Sequence, residues 1–320
     1  MQALQASPRV FQMSLRVAPK ARIFRFSHVV LLAGLLLMSA TASYFQGRPA
    51  PPKSEWLVEA GWLNEHLKDR VIIADTRTEQ QYIQGHIPAA VWLDISGLSA
   101  RTSESALPLL HQELAAKFST LGITGAEQVV FYDESMGTKA PKALWFLTYA
   151  GYRWGRVLHG GFGAWQKAGL PVSTEKTVRP ARTFNVNANP AILASTDYVA
   201  KRIRSATAVI LDVRSRDEYS GKDPSQHCAR SGRIPGAVWL EWTQLLENPL
   251  SYRQISDLQK RLNEVGATPD KEILVYCHQG NRASNSYLAL QLLGYARVRN
   301  YVGSWHEWAA RLDLPVEKDE

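Results

Sequence analysis

The residues best suited to chemistry lie in one short stretch, Ile273 to Ser284, ILVYCHQGNRAS. An apolar run ends on Cys277, a polar loop holds Gly280 and Arg282, and a helical pattern follows. A thiol in that position has two readings. Free cysteine is among the most buried residue types, and a purely structural Cys277 would be inert. The other reading is a nucleophile, because unpaired N–H groups and the positive dipole end at a helix N-terminus favour a thiolate placed against them. The segment ASNSYLALQLL, Ala283 to Leu293, spaces its apolar residues for such a helix. Gly280 lets the backbone turn tightly. Arg282 stays charged and offers a planar fork of donors to an oxyanion. Cysteine, glycine and arginine together in one strand-to-helix loop favour the nucleophile.

The elements that must position this loop are written twice. VIIADTRTEQQYIQGHIPAAVWLD, Val71 to Asp94, matches AVILDVRSRDEYSGKDPSQHCARSGRIPGAVWLE, Ala208 to Glu241. Asp75 pairs with Asp212, Arg77 with Arg214, Tyr82 with Tyr219 and Ile87-Pro88 with Ile234-Pro235. The second copy carries about ten extra residues, Cys228 among them. VVFYDESMGTKAPKALW then answers ILVYCHQGNRAS, and GGFGAWQKAGLPV answers GSWHEWAARLDLPV. Matches kept in order over such a length mark an internal repeat. Short β-branched runs predict strands at 71–74, 90–93, 129–132 and 156–158, and again at 209–211, 238–240, 273–276 and 298–301. Continuous apolar strands alternating with helices predict an α/β fold of two tandem domains, each an open parallel sheet with helices on both faces. The domains are expected at 55–172 and 191–317, joined by a polar, Pro-bounded linker at 173–190. In such sheets, sites form beyond the carboxyl ends of strands, which is where Cys277 falls.

With those motifs in order, the chain resembles a tandem-domain rhodanese-type sulfurtransferase. DVRSRDEY, GRIPGAVWLEW, VYCHQGNRAS and GSWHEW carry the likeness, over roughly residues 55 to 317. The resemblance implies that the second domain does the chemistry and that the first, with Asp133 in place of Cys277, is inert. It implies that Cys277 attacks the outer sulfur of a donor such as thiosulfate, becomes a persulfide and releases sulfite. A thiophilic acceptor, cyanide or a thiol, then takes the sulfur, which predicts ping-pong kinetics. The loop amides of His278, Gln279, Gly280, Asn281 and Ala283 can hold the persulfide with no metal or organic cofactor. Arg282 is the candidate for gripping the sulfonate or the departing sulfite. Cysteine phosphatases resemble C-x5-R, whereas Cys277 to Arg282 is C-x4-R, a smaller cradle suited to a single sulfur atom. The alternatives are a noncatalytic sulfur- or partner-binding module and a phosphatase-like enzyme.

Four further residues are candidate supports. Some family members place a basic residue where Glu218 stands, so arginines for the carboxylate of mercaptopyruvate are not evident and that donor is less supported. Glu218 either accepts hydrogen bonds from the active loop or lies in solvent. Asp212 and Arg214 recur in the inert copy, which favours structure over catalysis. Arg233 reads as a surface charge, with added positive potential in the cleft as the alternative. Cys228 reads as an unrelated loop thiol, the alternative being a resolving partner for the persulfide. A basic role for His278 is not needed where amides and dipole already favour the thiolate. Trp165 and Trp308 occupy matching places and read as core.

Composition bounds the rest. The two cysteines, without a CxxC pair, exclude a disulfide framework. The eight histidines show no metal-ligand spacing, so no structural zinc is expected. The formal charge of +8 falls to +3 without the five basic residues of positions 1–42, which contain no acid, so there is no compositional case for a nucleic-acid partner. Those residues precede VVLLAGLLLM and SATAS, the pattern of an export signal. Translation starting at Met13 would shorten the long basic region. Residues 1–53 are therefore expected to be a signal or N-terminal membrane anchor (spanning 26–45) with a Pro-rich tether. The protein is expected in the periplasm, as a monomer acting on small molecules.

Overall fold

The computed structural model describes residues 56–98, 102–103, 105–223 and 228–319. The signal, anchor and tether at 1–53 lie outside the described residues, and among those described no helix is long and apolar enough to cross a membrane.

The first half runs β1 (Leu57–Val58), α1 (Ala60–Glu65), β2 (Val71–Asp75), α2 (Glu79–Gln84), β3 (Val91–Trp92), α3 (Leu107–Ser119), β4 (Gln128–Tyr132), α4 (Lys139–Tyr149), β5 (Gly155–Leu158) and α5 (Gly161–Lys167). Its sheet has the order β1-β5-β4-β2-β3, every pair parallel. The second half runs α6 (Thr196–Ala200), β6 (Ala208–Asp212), α7 (Arg216–Ser220), β7 (Val238–Trp239), β8 (Leu246–Asn248), β9 (Ser251–Tyr252), α8 (Ile255–Glu264), β10 (Glu272–Tyr276), α9 (Asn281–Leu292), β11 (Val298–Asn300) and α10 (Ser304–Ala310). Its main sheet, β11-β10-β6-β7, is also all parallel. The eight strands expected from sequence all form. The antiparallel β8–β9 hairpin and the edge strand β1 were not among them.

The strands are apolar throughout because both faces are covered. On β10, Ile273 and Val275 point into one core while Leu274 and Tyr276 point into another; on β4, Val129 and Phe131 are opposed to Val130 and Tyr132 in the same way. One core is common to both halves. It takes in α4 and α9, whose flanks are buried almost all round. The segment 173–190 adopts no strand, yet it is more than a tether. Ser173 bridges His86, the Asn187 and Asn189 amides donate to Ala150 and Tyr149 at 3.0 and 2.7 Å, and Phe184 packs on Phe118.

Candidate active site

Strand pairing carries Cys277 to its place. Tyr276 on β10 stands opposite Asp212 on β6, so both strands end together and the loop from Cys277 opens above that edge. Cys277 is buried, at 1% exposure. Its N–H donates to Ser304 Oγ at 3.1 Å, and that hydroxyl lies 3.9 Å from the Cys277 sulfur. The amides of Trp305 and His306, at the start of α10, donate to the carbonyls of Cys277 and His278, both at 3.0 Å. Ser304 holds φ +55, uncommon for a residue with a side chain, where the first half has Gly161 at φ +60. Strain of this kind persists only where its surroundings enforce it. Ser304 is a positioning residue that the sequence did not disclose.

Gly280 begins the turn into α9 at φ +82, and a Cβ there would stand 2.8 Å from the Val302 carbonyl, so only glycine fits. No side chain caps α9. Its first-turn amides, Asn281 to Ala283, are therefore left to whatever sits in the loop. The first half shows what such a loop accepts. Asp133 Oδ1 takes the Glu134 N–H at 2.9 Å, and Oδ2 takes the Lys139 N–H at 3.0 Å, at the start of α4. A built-in carboxylate fills the cradle there. In the second half a thiol replaces it.

Comparison with known proteins agrees with this geometry. The rhodanese-like domain model matches residues 59–168 and 195–311. Thiosulfate sulfurtransferase of Azotobacter vinelandii is 34% identical over 77% of this chain and 91% of its own. The 3-mercaptopyruvate sulfurtransferase of Escherichia coli K12 is 34% identical over 82% and 98%. The crystal structure of SseA from Escherichia coli, a 3-mercaptopyruvate sulfotransferase, superposes with a TM-score of 0.67 at 29% identity, covering 78% of this chain and 98% of that one. The anaerobic ergothioneine biosynthesis enzyme of Chlorobium limicola, at 24% identity and a TM-score of 0.76, shares the fold. The chain belongs to the rhodanese family. It is a tandem-domain sulfurtransferase.

In this sulfurtransferase Arg282 is not a free fork. Its Nη1 and Nη2 donate to the two carboxylate oxygens of Glu218 at 2.6 and 2.8 Å. Glu218 is therefore no solvated side chain. It also closes the capping box of α7 with Ser215, tying α7 to the start of α9. Burial opposes ionisation of Glu218, but the Arg282 bonds and charge and the Ser215 N–H outweigh it and pull the carboxyl down to about 2 from 4.5. A depressed carboxyl stabilises the fold fully above the unfolded value and loses that contribution as pH falls through the folded one. Glu218→Gln should lower stability at pH 7 by about 1–3 kcal/mol. It should also flatten the acid limb of the stability curve between about pH 4.5 and 2. Denaturant melts across pH check this, and an unchanged acid limb would refute the pairing.

Asp212 and Arg214 form a buried lattice. Arg214 donates to both Asp212 oxygens at 2.6–3.1 Å and to the Gly232 carbonyl at 2.8 Å, and lies over Trp305. Tyr276 donates its hydroxyl to Asp212. Arg77, Asp75, Tyr132, the Gly85 carbonyl and Phe162 repeat it in the first half. Arg233 corrects the surface reading. It is 7% exposed, pairs with Glu317 and Asp319, both at 2.6 Å, and lies over Tyr219. Its charge is spent on the C-terminal segment, not on the cleft. Trp165 and Trp308 are both fully buried, as core positions should be.

Lys142 is a second residue near the nucleophile that sequence reasoning missed. It lies five residues past Gly137 on α4, as Asn285 lies five past Gly280 on α9. Each reaches across to the opposite loop. Asn285 Nδ2 donates to the Met136 and Gly137 carbonyls at 3.0 and 2.6 Å. Lys142, 5% exposed, lies close enough to Cys277 to interact with it electrostatically; burial pushes its ammonium below the usual lysine range, and a negative charge on Cys277 would offset part of that. No carboxylate among the described residues acts on it. It lines a cavity of about 850 Å³ together with the loop residue Gln279, Gly303 and His306. Burial likewise holds His278 below the ordinary imidazole range. Cys228 lies with its sulfur 3.8 Å from His278 Nδ1.

Proposed function

We propose that this enzyme moves sulfane sulfur from thiosulfate to a thiophilic acceptor, cyanide or a small thiol, through a persulfide on Cys277. The observation that carries the reading is the position of Cys277, buried at the uncapped start of α9 where, in the first half, loop amides bind the Asp133 carboxylate. In the first half-reaction the Cys277 thiolate attacks the outer sulfur of thiosulfate. The sulfur–sulfur bond of the donor breaks, a Cys–S–S⁻ forms, and sulfite leaves with the bonding pair. In the second, cyanide attacks the terminal sulfur, thiocyanate leaves and the thiolate returns. The loop amides stabilise the anion at each stage. The roles proposed for Cys277, Arg282 and residues 278–281 and 283 rest on this reading, as do an inert domain at 55–172 and a catalytic one at 191–317.

Thiosulfate is favoured over mercaptopyruvate by the placement of positive charge. Arg282 and Lys142 both lie near enough to Cys277 to feel its charge, but Arg282, like Arg214 and Arg233, is engaged by a carboxylate, so Lys142 is the cation better placed to take up the donor's anionic end. One compact ammonium suits the sulfonate end of thiosulfate, whereas a planar carboxylate is better matched by an arginine fork. The expected result is a higher kcat/KM with thiosulfate than with mercaptopyruvate. Lys142→Met should raise KM for thiosulfate about tenfold, the loss of roughly 1.4 kcal/mol of donor binding. A tenfold preference for mercaptopyruvate would sink the donor assignment, and an unaltered KM would remove Lys142 from the site.

The N-terminal pattern supports action outside the cytoplasm, with the chain exported to the periplasm. N-terminal sequencing of soluble and membrane fractions distinguishes a cleaved signal from a retained anchor.

A further inference from the structure

Three soft ligands meet beside the nucleophile, and sulfur transfer uses none of their side chains. Cys228 comes from the segment inserted in the second half, His278 follows Cys277 in the loop, and His306 lies in the first turn of α10. One ligand atom from each lies within 4.8 Å of the other two. The Cys228 sulfur is 3.8 Å from His278 Nδ1, and the two imidazole rings are 5.9 Å apart. A tetrahedral ion with one sulfur bond near 2.3 Å and one nitrogen bond near 2.0 Å separates those two ligand atoms by about 3.5 Å. The cluster therefore needs only side-chain adjustment to close on an ion. The backbones of two of its ligands are already tied together, because the His306 amide donates to the His278 carbonyl at 3.0 Å. Cys228 and His278 are half-buried and His306 is exposed, which gives an ion a way in. The first half has no such insertion and has Gly163 at the place of His306, so the scaffold does not require the cluster.

We propose that Cys228, His278 and His306 form a zinc-binding site that regulates the active loop. One thiolate and two imidazoles are the donor set of a borderline-soft ion, and three protein ligands leave the fourth position open to water. Such a site differs from a closed structural zinc, which sequence spacing would have shown. A bound ion ties the insertion, the active loop and α10 together at the residue next to Cys277. The loop can then no longer adjust around the extra sulfur of the persulfide, and turnover falls.

The test separates this site from capture of zinc by the nucleophile. Zinc binding is measured on the full-length chain by competition with a chromophoric chelator, in a Cys277→Ser background. One zinc ion per chain is expected. Adding Cys228→Ser or His306→Ala should weaken binding by at least about tenfold. Cobalt in place of zinc should show a thiolate charge-transfer band that Cys228→Ser abolishes. With Cys277 intact, Cys228→Ser should leave sulfur transfer in chelator-treated buffer unchanged and make it less sensitive to added zinc. No stoichiometric zinc in the Cys277→Ser chain would overturn the site, as would binding that both substitutions leave untouched. The binding readout needs no turnover, so the site stands or falls independently of the proposed donor.

Discussion

Cys277→Ser abolishes sulfur transfer from thiosulfate, with turnover reduced by at least about 10³-fold, the scale seen when a covalent nucleophile is removed. Serine fits the space, because Cys277 occupies a small buried position whose N–H is held by Ser304. The amide cradle is retained as well. What is lost is a thiol, which ionises far more readily than a hydroxyl, and with it the sulfur–sulfur bond of the persulfide. The variant should fold and melt as the wild type does. Incubation with thiosulfate followed by intact mass measurement should show one added sulfur atom on the wild type and none on the variant. Peptide mapping should place that sulfur on Cys277. An adduct on Cys228 would exchange the roles of the two thiols, and full turnover by Cys277→Ser would remove the persulfide mechanism. The first half supplies an internal control, since its loop has the same amides closed by Asp133 and should take up no sulfur.

The repeat was legible because each strand is an uninterrupted apolar run and because Asp-x-Arg, Ile-Pro and Gly-to-Trp signatures recur in order. Comparing the two loops in sequence already separated Cys277 from what the scaffold needs. Lys142 was not legible. A lysine in a helical pattern reads as solvent-facing, and it is buried here only because α4 and α9 sit in the core that the halves share. Arg233 was misread for a related reason. Its partners, Glu317 and Asp319, lie far along the chain, so no local pattern announces the pairing. The Cys228, His278 and His306 cluster escaped any spacing rule because it joins three separate segments. Burial and long-range pairing are tertiary facts. Periodicity reports only which face of an element is apolar.

Arg214→Met and Arg77→Met should each destabilise the enzyme by about 3–5 kcal/mol, because each leaves a buried aspartate without its partner. Arg214 is 1% and Asp212 0% exposed in side-chain area, and Arg77 and Asp75 stand at 3% and 0%. Both arginines also hold a carbonyl, of Gly232 or Gly85, that would lose its donor. At roughly 2–4 °C per kcal/mol for a unit of 150–250 residues, the melting temperature should fall by about 10 °C. The duplicated network makes the comparison decisive. Arg77 belongs to the half without a nucleophile, so Arg77→Met should keep its kcat well below the melting point. If Arg214→Met behaves the same way, the pair is structural in both halves. A stable Arg214→Met that has lost turnover would instead assign Arg214 to the chemistry, since its lattice reaches Trp305 beside the Cys277 carbonyl. Removing both charges, as in Asp212→Leu with Arg214→Met, should recover part of the loss. An uncompensated buried charge costs more than an absent pair, and the cooperative Tyr276 and Gly232 bonds are what the double variant still lacks.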